Sequence, residues 1–205
     1  MEEIKYLFIG KEPFAYRKNK DKNKESTPKY TNIQLTNYPT KNVAFFPKFN
    51  SDNETKNPLE IHAFRRILGI LYNTKVSKDD DFIQKFGKEN PKNLARHLQE
   101  KGIYFCNLNE LKDNKYITLD NNNNNNDNYK WLIGKNTKLL CFGSDPINEI
   151  TEIVIDNNLP LENLSTFPHP AKNNSHIIWQ HYDKNFTPTT YNLKLKNLPD
   201  LNTLK

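Results

Sequence analysis

Three residues of different chemical type each follow a short apolar run: Glu12, Asn107 and His169. A carboxylate is an acid/base group, an amide is a hydrogen-bond reader, and an imidazole is an electrophile or an acid. Each also has an ordinary alternative. Glu12 could be a surface carboxylate in a turn, Asn107 the polar end of a strand, and His169 a loop residue. The prolines beside His169, Pro168 and Pro170, favour a rigid presentation. The five His and the carboxylates show no ligand-like spacing, so no metal and no cofactor is expected.

These residues depend on the elements before them. Ile4 to Ile9 is an apolar run closed by Gly10, which predicts a buried strand. Ile103 to Cys106, ending at Asn107, predicts a second strand. Lys138 to Phe142, closed by Gly143, predicts a third, and Leu164 to Phe167 a fourth. Pro58 to Asn73 and Pro91 to Lys101 carry apolar residues at helical spacing, with Gly102 stopping the second helix. A third helix should start at Ser144 or Asp145, with Pro146 in its first position and Ile147, Ile150, Ile153 and Val154 on its buried stripe. Ile33 to Phe49 reads as an ordered connection, and His176 to Tyr182 as a turn of helix.

Strands alternating with helices predict an α/β fold: three αβα layers around a mainly parallel four-stranded sheet. One domain should fill residues 1–205, with polar insertions near 17–29 and 113–128, the latter holding six consecutive Asn. Ligands of open parallel sheets bind beyond the carboxyl ends of the strands. Glu12, Asn107 and His169 should therefore converge on one edge.

The balance of 30 Lys and Arg against 24 Asp and Glu leaves +6. That suits a polyanionic partner, or solubility alone. Phosphate contacts would fall to Lys11, Arg17, Lys18, Lys172 and the donors at Gly143-Ser144, at a helix start. Two Cys are too few for a four-thiolate cluster, and both read as buried apolar residues. No apolar stretch approaches the ~20 residues of a membrane span. The acidic start Met1-Glu2-Glu3 shows no secretory leader, so a cytoplasmic protein is expected, or a nuclear one in a eukaryote. The expected state is a monomer.

Four segments then carry a resemblance. Gly10-Lys11-Glu12-Pro13-Phe14 resembles the Gly-Gln-Asp-Pro-Tyr motif of family-one uracil-DNA glycosylases. Gly102-Ile103-Tyr104-Phe105-Cys106-Asn107 is similar to their glycine-led strand ending in Asn. Leu139-Leu140-Cys141-Phe142-Gly143-Ser144 resembles their Leu-Leu-Trp-Gly-Ser segment. Pro168-His169-Pro170-Ala171 resembles their Pro-His-Pro-Ser motif. The four occur in the family's order and span most of the chain.

The resemblance implies a uracil-DNA glycosylase-like fold and hydrolysis of the N-glycosidic bond of uracil or a related damaged base. It implies that Glu12 orients the water, Asn107 reads the pyrimidine edge, and His169 donates to the base O2. Phe14 would stand where the family's Tyr blocks a thymine methyl. Phe45 or Phe46 would stack on the flipped base, leaving the other to the core.

The pattern also departs from the family. Glu12 replaces Asp and is one methylene longer, while Lys11 replaces Gln. Ala171-Lys172-Asn173 replaces Ser-Pro-Leu and its wedge. Weak base extrusion follows, favouring DNA that is single-stranded or a mismatched duplex. The early first strand resembles the compact branches, and two Cys exclude the iron–sulfur branch. Two further functions compete: a relative that binds nucleic acid without catalysis, and an unrelated α/β enzyme of nucleotides.

Overall fold

The computed structural model describes residues 4–11, 30–36, 38, 40, 42–49, 57–80, 90–112, 117–119, 131–156, 158–170 and 176–185. Four strands form one sheet: β1 (Tyr6–Gly10), β4 (Ile103–Asn107), β7 (Lys138–Phe142) and β8 (Leu164–Phe167). Their order is β4-β1-β7-β8, and every pairing is parallel. The fold class is α/β, as the alternation of elements predicts.

Burial explains the layering. All five residues of β4 are buried, as are the last four of β1 and of β7. Side chains of consecutive strand residues point to opposite faces, so runs of this kind need cover on both. One face carries a row of phenyl rings across all four strands. Phe105 lies 4.8 Å from Phe8, Phe8 5.9 Å from Phe142, and Phe142 5.0 Å from Phe167. Such pairs add about 0.5–1.5 kcal/mol each beyond their buried area.

At the open edge of β4, Tyr38 and Ala44 reach the backbone of Phe105. The Tyr38 hydroxyl accepts from the Phe105 N–H at 2.7 Å and donates to its carbonyl at 3.2 Å. The Ala44 N–H reaches the same carbonyl at 3.5 Å. The Phe105 backbone is thus closed to a foreign strand.

The helices differ from expectation at their starts. The Pro58 segment divides into a 3-10 turn, Pro58–Glu60, and α1 (His62–Tyr72). Asn57 caps the turn by accepting from the Leu59 N–H, and the extended backbone of Ile61 separates the two. Helix α1 ends at Asn73, whose left-handed backbone returns an N–H to Gly69. Helix α2 (Asn90–Glu100) starts one residue ahead of Pro91 and stops at Gly102, at φ 77°. Helix α4 (Ser144–Asp156) carries Pro146 third rather than first, so Pro146 sits within the opening turn, where no N–H is needed. Helix α5 (Ile177–Asn185) runs past the predicted turn.

Three pieces fall outside the predicted elements. Strand β3 (Pro47–Phe49), at the end of the expected connection, pairs antiparallel with β2 (Tyr30–Asn32), which lies just ahead of that connection. Strands β5 (Ile117–Leu119) and β6 (Trp131–Ile133) pair in parallel. β5 thus interrupts the insertion expected over 113–128. A short helix, α3 (Leu108–Lys112), follows β4 directly. The insertion expected near 17–29 lies outside the described residues.

Candidate functional site

The chain leaves β1 for β4 on one side, then crosses back to β7 and β8 on the other. Strand order reverses between β1 and β7, and that is where an open parallel sheet presents a crevice at its carboxyl ends. Gly10 and Lys11 lie on one lip, Gly143 and Ser144 on the other.

Asn107 ends β4 opposite Gly10 in register and is 1% exposed. By strand alternation it shares the face of Phe105 and of the phenyl row. Its Nδ2 donates to Glu110 Oε2 at 3.0 Å. Glu110 Oε1 accepts from the Asn42 N–H at 3.1 Å and from Asn42 Nδ2 at 3.0 Å.

Phe45 roofs the same place. Its backbone has φ 66°, a region that costs a non-glycine residue on the order of 1–3 kcal/mol. That turn lays the ring over Gly10, where an added Cβ would come within 2.8 Å of its Cζ. The ring edge also meets Phe142 at 5.3 Å. Phe46 turns the other way, fully buried against Phe64 at 5.2 Å and Phe105 at 4.7 Å. Both predicted aromatics belong to the buried core, and of the two it is Phe45 whose ring lies over Gly10 at the crevice.

His169 lies two residues past β8 and leans over Gly143. A Cβ on Gly143, at φ +102°, would touch His169 Cβ at 3.5 Å. The Gly143 N–H donates to the Phe167 carbonyl at 2.8 Å, tying the two strand ends together. The carbonyls flanking His169 are also held. Trp179 Nε1 donates to Pro168 and Arg66 Nη1 to Pro170, both at 3.1 Å. Arg66 is 3% exposed, lies over the Trp179 ring at 5.2 Å, and pairs with Asp183 at 2.7 Å. A carboxylate, a carbonyl and an indole around the buried guanidinium offset part of the cost of taking its charge out of water.

Lys11 crosses the lip to pair with Asp145 at 2.7 Å, in solvent. Ser144 Oγ donates to the same residue's Oδ1 at 3.1 Å. Burial, and then the charge of Lys11, push the His169 pKa below its ordinary value. The imidazole is therefore neutral near pH 7, a donor without a charge. Burial pushes the Cys106 thiol well up and the Cys141 thiol up to about 12, so both are inert apolar residues.

The crevice thus gathers Asn107, Phe45, Lys11, Ser144 and His169 from the predicted set. Glu12, Phe14, Arg17, Lys18 and Lys172 lie outside the described residues. Glu110, Asn42, Arg66 and Trp179 escaped the sequence reading. Glu110 had one signal, its place three residues after Asn107 where a helical turn brings side chains together. Arg66 had another, a charge inside an apolar helix. Among the described residues no group of three or more His, Cys, Asp or Glu is set to hold a metal, and no helix is long and apolar enough to cross a membrane.

Compared with known protein families, curated proteins and solved structures, the chain matches none.

Proposed function

We propose that this protein is a DNA glycosylase that hydrolyses the N-glycosidic bond of uracil or a related damaged base. One observation carries the reading: a buried amide, Asn107, ends β4 and a neutral imidazole, His169, follows β8, on either side of the strand-order switch point where the Phe45 ring lies over Gly10. That set fits a flat, polar base. The Phe45 ring supplies a stacking plane, and Asn107 supplies paired donor and acceptor for a pyrimidine edge.

The chemistry follows from charge. Water adds to the sugar carbon as the bond to the base nitrogen breaks, and the bonding pair leaves with the base. Negative charge then spreads to the base oxygens. A neutral His169 N–H donates to that developing charge and needs no positive charge of its own to do so. Glu12, two residues past Gly10 in sequence, would orient the water and take up its proton. DNA is the proposed partner, single-stranded or mismatched, because unpairing costs least there.

The test is alkali-sensitive cleavage of end-labelled oligonucleotides, single-stranded and duplex, bearing uracil, hypoxanthine or thymine opposite guanine. Wild-type protein should cut at one or more of these. Glu12→Gln, Asn107→Ala and His169→Leu should each lose about 100-fold or more. Folded wild-type protein that cuts none of them would refute the reading.

A further inference from the structure

Glu110 makes three hydrogen bonds, and they share one property. Its carboxylate only accepts. One oxygen takes the Asn42 backbone N–H and the Asn42 amide, at 3.1 and 3.0 Å. The other takes Asn107 Nδ2 at 3.0 Å. Asn42 is anchored in turn, since Thr40 Oγ1 donates to its carbonyl at 2.8 Å. The neighbouring Val43 is fixed by Asn32 Nδ2 on its carbonyl at 2.7 Å and by its own N–H on Ile33 at 3.0 Å. The carboxylate is thus immobilised from the far side before it meets Asn107.

An asparagine amide has two orientations of nearly equal shape and opposite hydrogen-bond sense. Opposite a carboxylate only one survives. Turned over, Asn107 Oδ1 would face Glu110 Oε2, acceptor against acceptor, in a buried place where such a mismatch is expensive. Nδ2 must face Glu110, so Oδ1 is directed away from it.

We propose that Glu110 is a positioning residue that sets base specificity: it locks the Asn107 amide so that Oδ1 presents a fixed acceptor to the crevice. The inference rests on the base-excising reading above. A base with a ring N–H opposite that acceptor is taken, as uracil has. A base with an unprotonated ring nitrogen there is refused, as cytosine has. Leaving a buried acceptor unmatched penalises the wrong base by roughly tenfold to a hundredfold.

Glu110→Gln tests this with almost no change of shape. Its terminal amide offers either a donor or an acceptor, so Asn107 regains both orientations. Two readouts are taken. The first is excision from single-stranded oligonucleotides carrying uracil or cytosine at one position. Uracil excision should fall about tenfold to a hundredfold, and the uracil-to-cytosine ratio should narrow by a similar factor. Asn42→Ala removes one of these bonds on Glu110, that of Asn42 Nδ2, keeps the backbone N–H, and should narrow the ratio less. It serves as the test should Glu110→Gln not fold. Folded variants that keep the wild-type ratio would sink the proposal.

The second readout does not need activity. The Asn107 side-chain amide is followed by nitrogen–proton NMR while free uracil or cytosine is added. In wild type only uracil should move it; in Glu110→Gln the preference should disappear. Wild-type protein that excises no base but shows this pattern would overturn the enzyme reading and leave the lock standing. An amide that responds alike in wild type and variant would overturn the lock.

Discussion

The carbonyls on both sides of His169 accept from buried donors, so the imidazole is presented by a loop that cannot easily rotate. Its proton affinity is then set by its surroundings. Burial comes first and the Lys11 ammonium second, and both disfavour the imidazolium. The neutral form gives way to the imidazolium when pH falls through this lowered pKa, so a reaction that uses the neutral ring should hold into mildly acid solution before it declines. Lys11→Met removes a positive charge and unmasks the Asp145 carboxylate beside it. Both changes favour the imidazolium, so the His169 pKa should rise. The His169 ring-proton titration, followed by NMR, should move to higher pH, and the acid limb of excision should move with it. A titration left in place would show that the Lys11 field is too well screened to matter.

At the scale of elements, the loop that holds His169 depends on how α1 and α5 pack. Gly69 makes that contact possible, because a Cβ there would overlap the Tyr182 hydroxyl and come within 2.7 Å of the ring. Tyr182 is fully buried, accepts from the Val76 N–H at 3.3 Å and donates to the Arg65 carbonyl at 3.4 Å. Helix propensity alone favours Gly69→Ala by about 1 kcal/mol. Overpacking costs about 1–3 kcal/mol and more where backbone must shift, so packing wins. The melting midpoint should fall by several degrees, and excision by more than the unfolded fraction accounts for, since Arg66 and Trp179 sit on these same two helices. A midpoint that rises would mean the helices separate freely. Much of this frame was legible in the residues. Lys138–Phe142 and Leu164–Phe167 stand where the apolar runs between glycine and proline put them, and so does the end of β4 at Asn107. Strands β2, β3, β5 and β6 were not, because three residues carry no period and only a partner strand defines them. The choice between Phe45 and Phe46 was not legible either, because it turns on a positive φ that neighbouring backbone imposes. The Glu110 clamp needs Asn42, a residue far away in sequence, and no local pattern announces it.

For the whole molecule the question is where the excess charge acts. Lys11 on the lip of the crevice is matched by Asp145, so it adds little net field there. The surplus of 30 basic over 24 acidic residues must lie elsewhere. Arg17 and Lys18 follow the first strand's loop in sequence, and Lys172 comes three residues after His169. As these three are the proposed phosphate contacts, their loss should weaken binding alike for every sequence. Each contact to single-stranded DNA releases about 0.7 of a counterion. A triple Arg17→Gln, Lys18→Gln, Lys172→Gln variant should therefore flatten the slope of log affinity against log salt by about 2. Fluorescence anisotropy of a labelled uracil oligonucleotide across a salt series measures it. Excision at saturating DNA should stay close to wild type, because phosphate contacts position the strand and take no part in breaking the bond to the base. An unchanged slope would move the phosphate path off these residues, and a loss of the saturated rate would bring one of them into the chemistry.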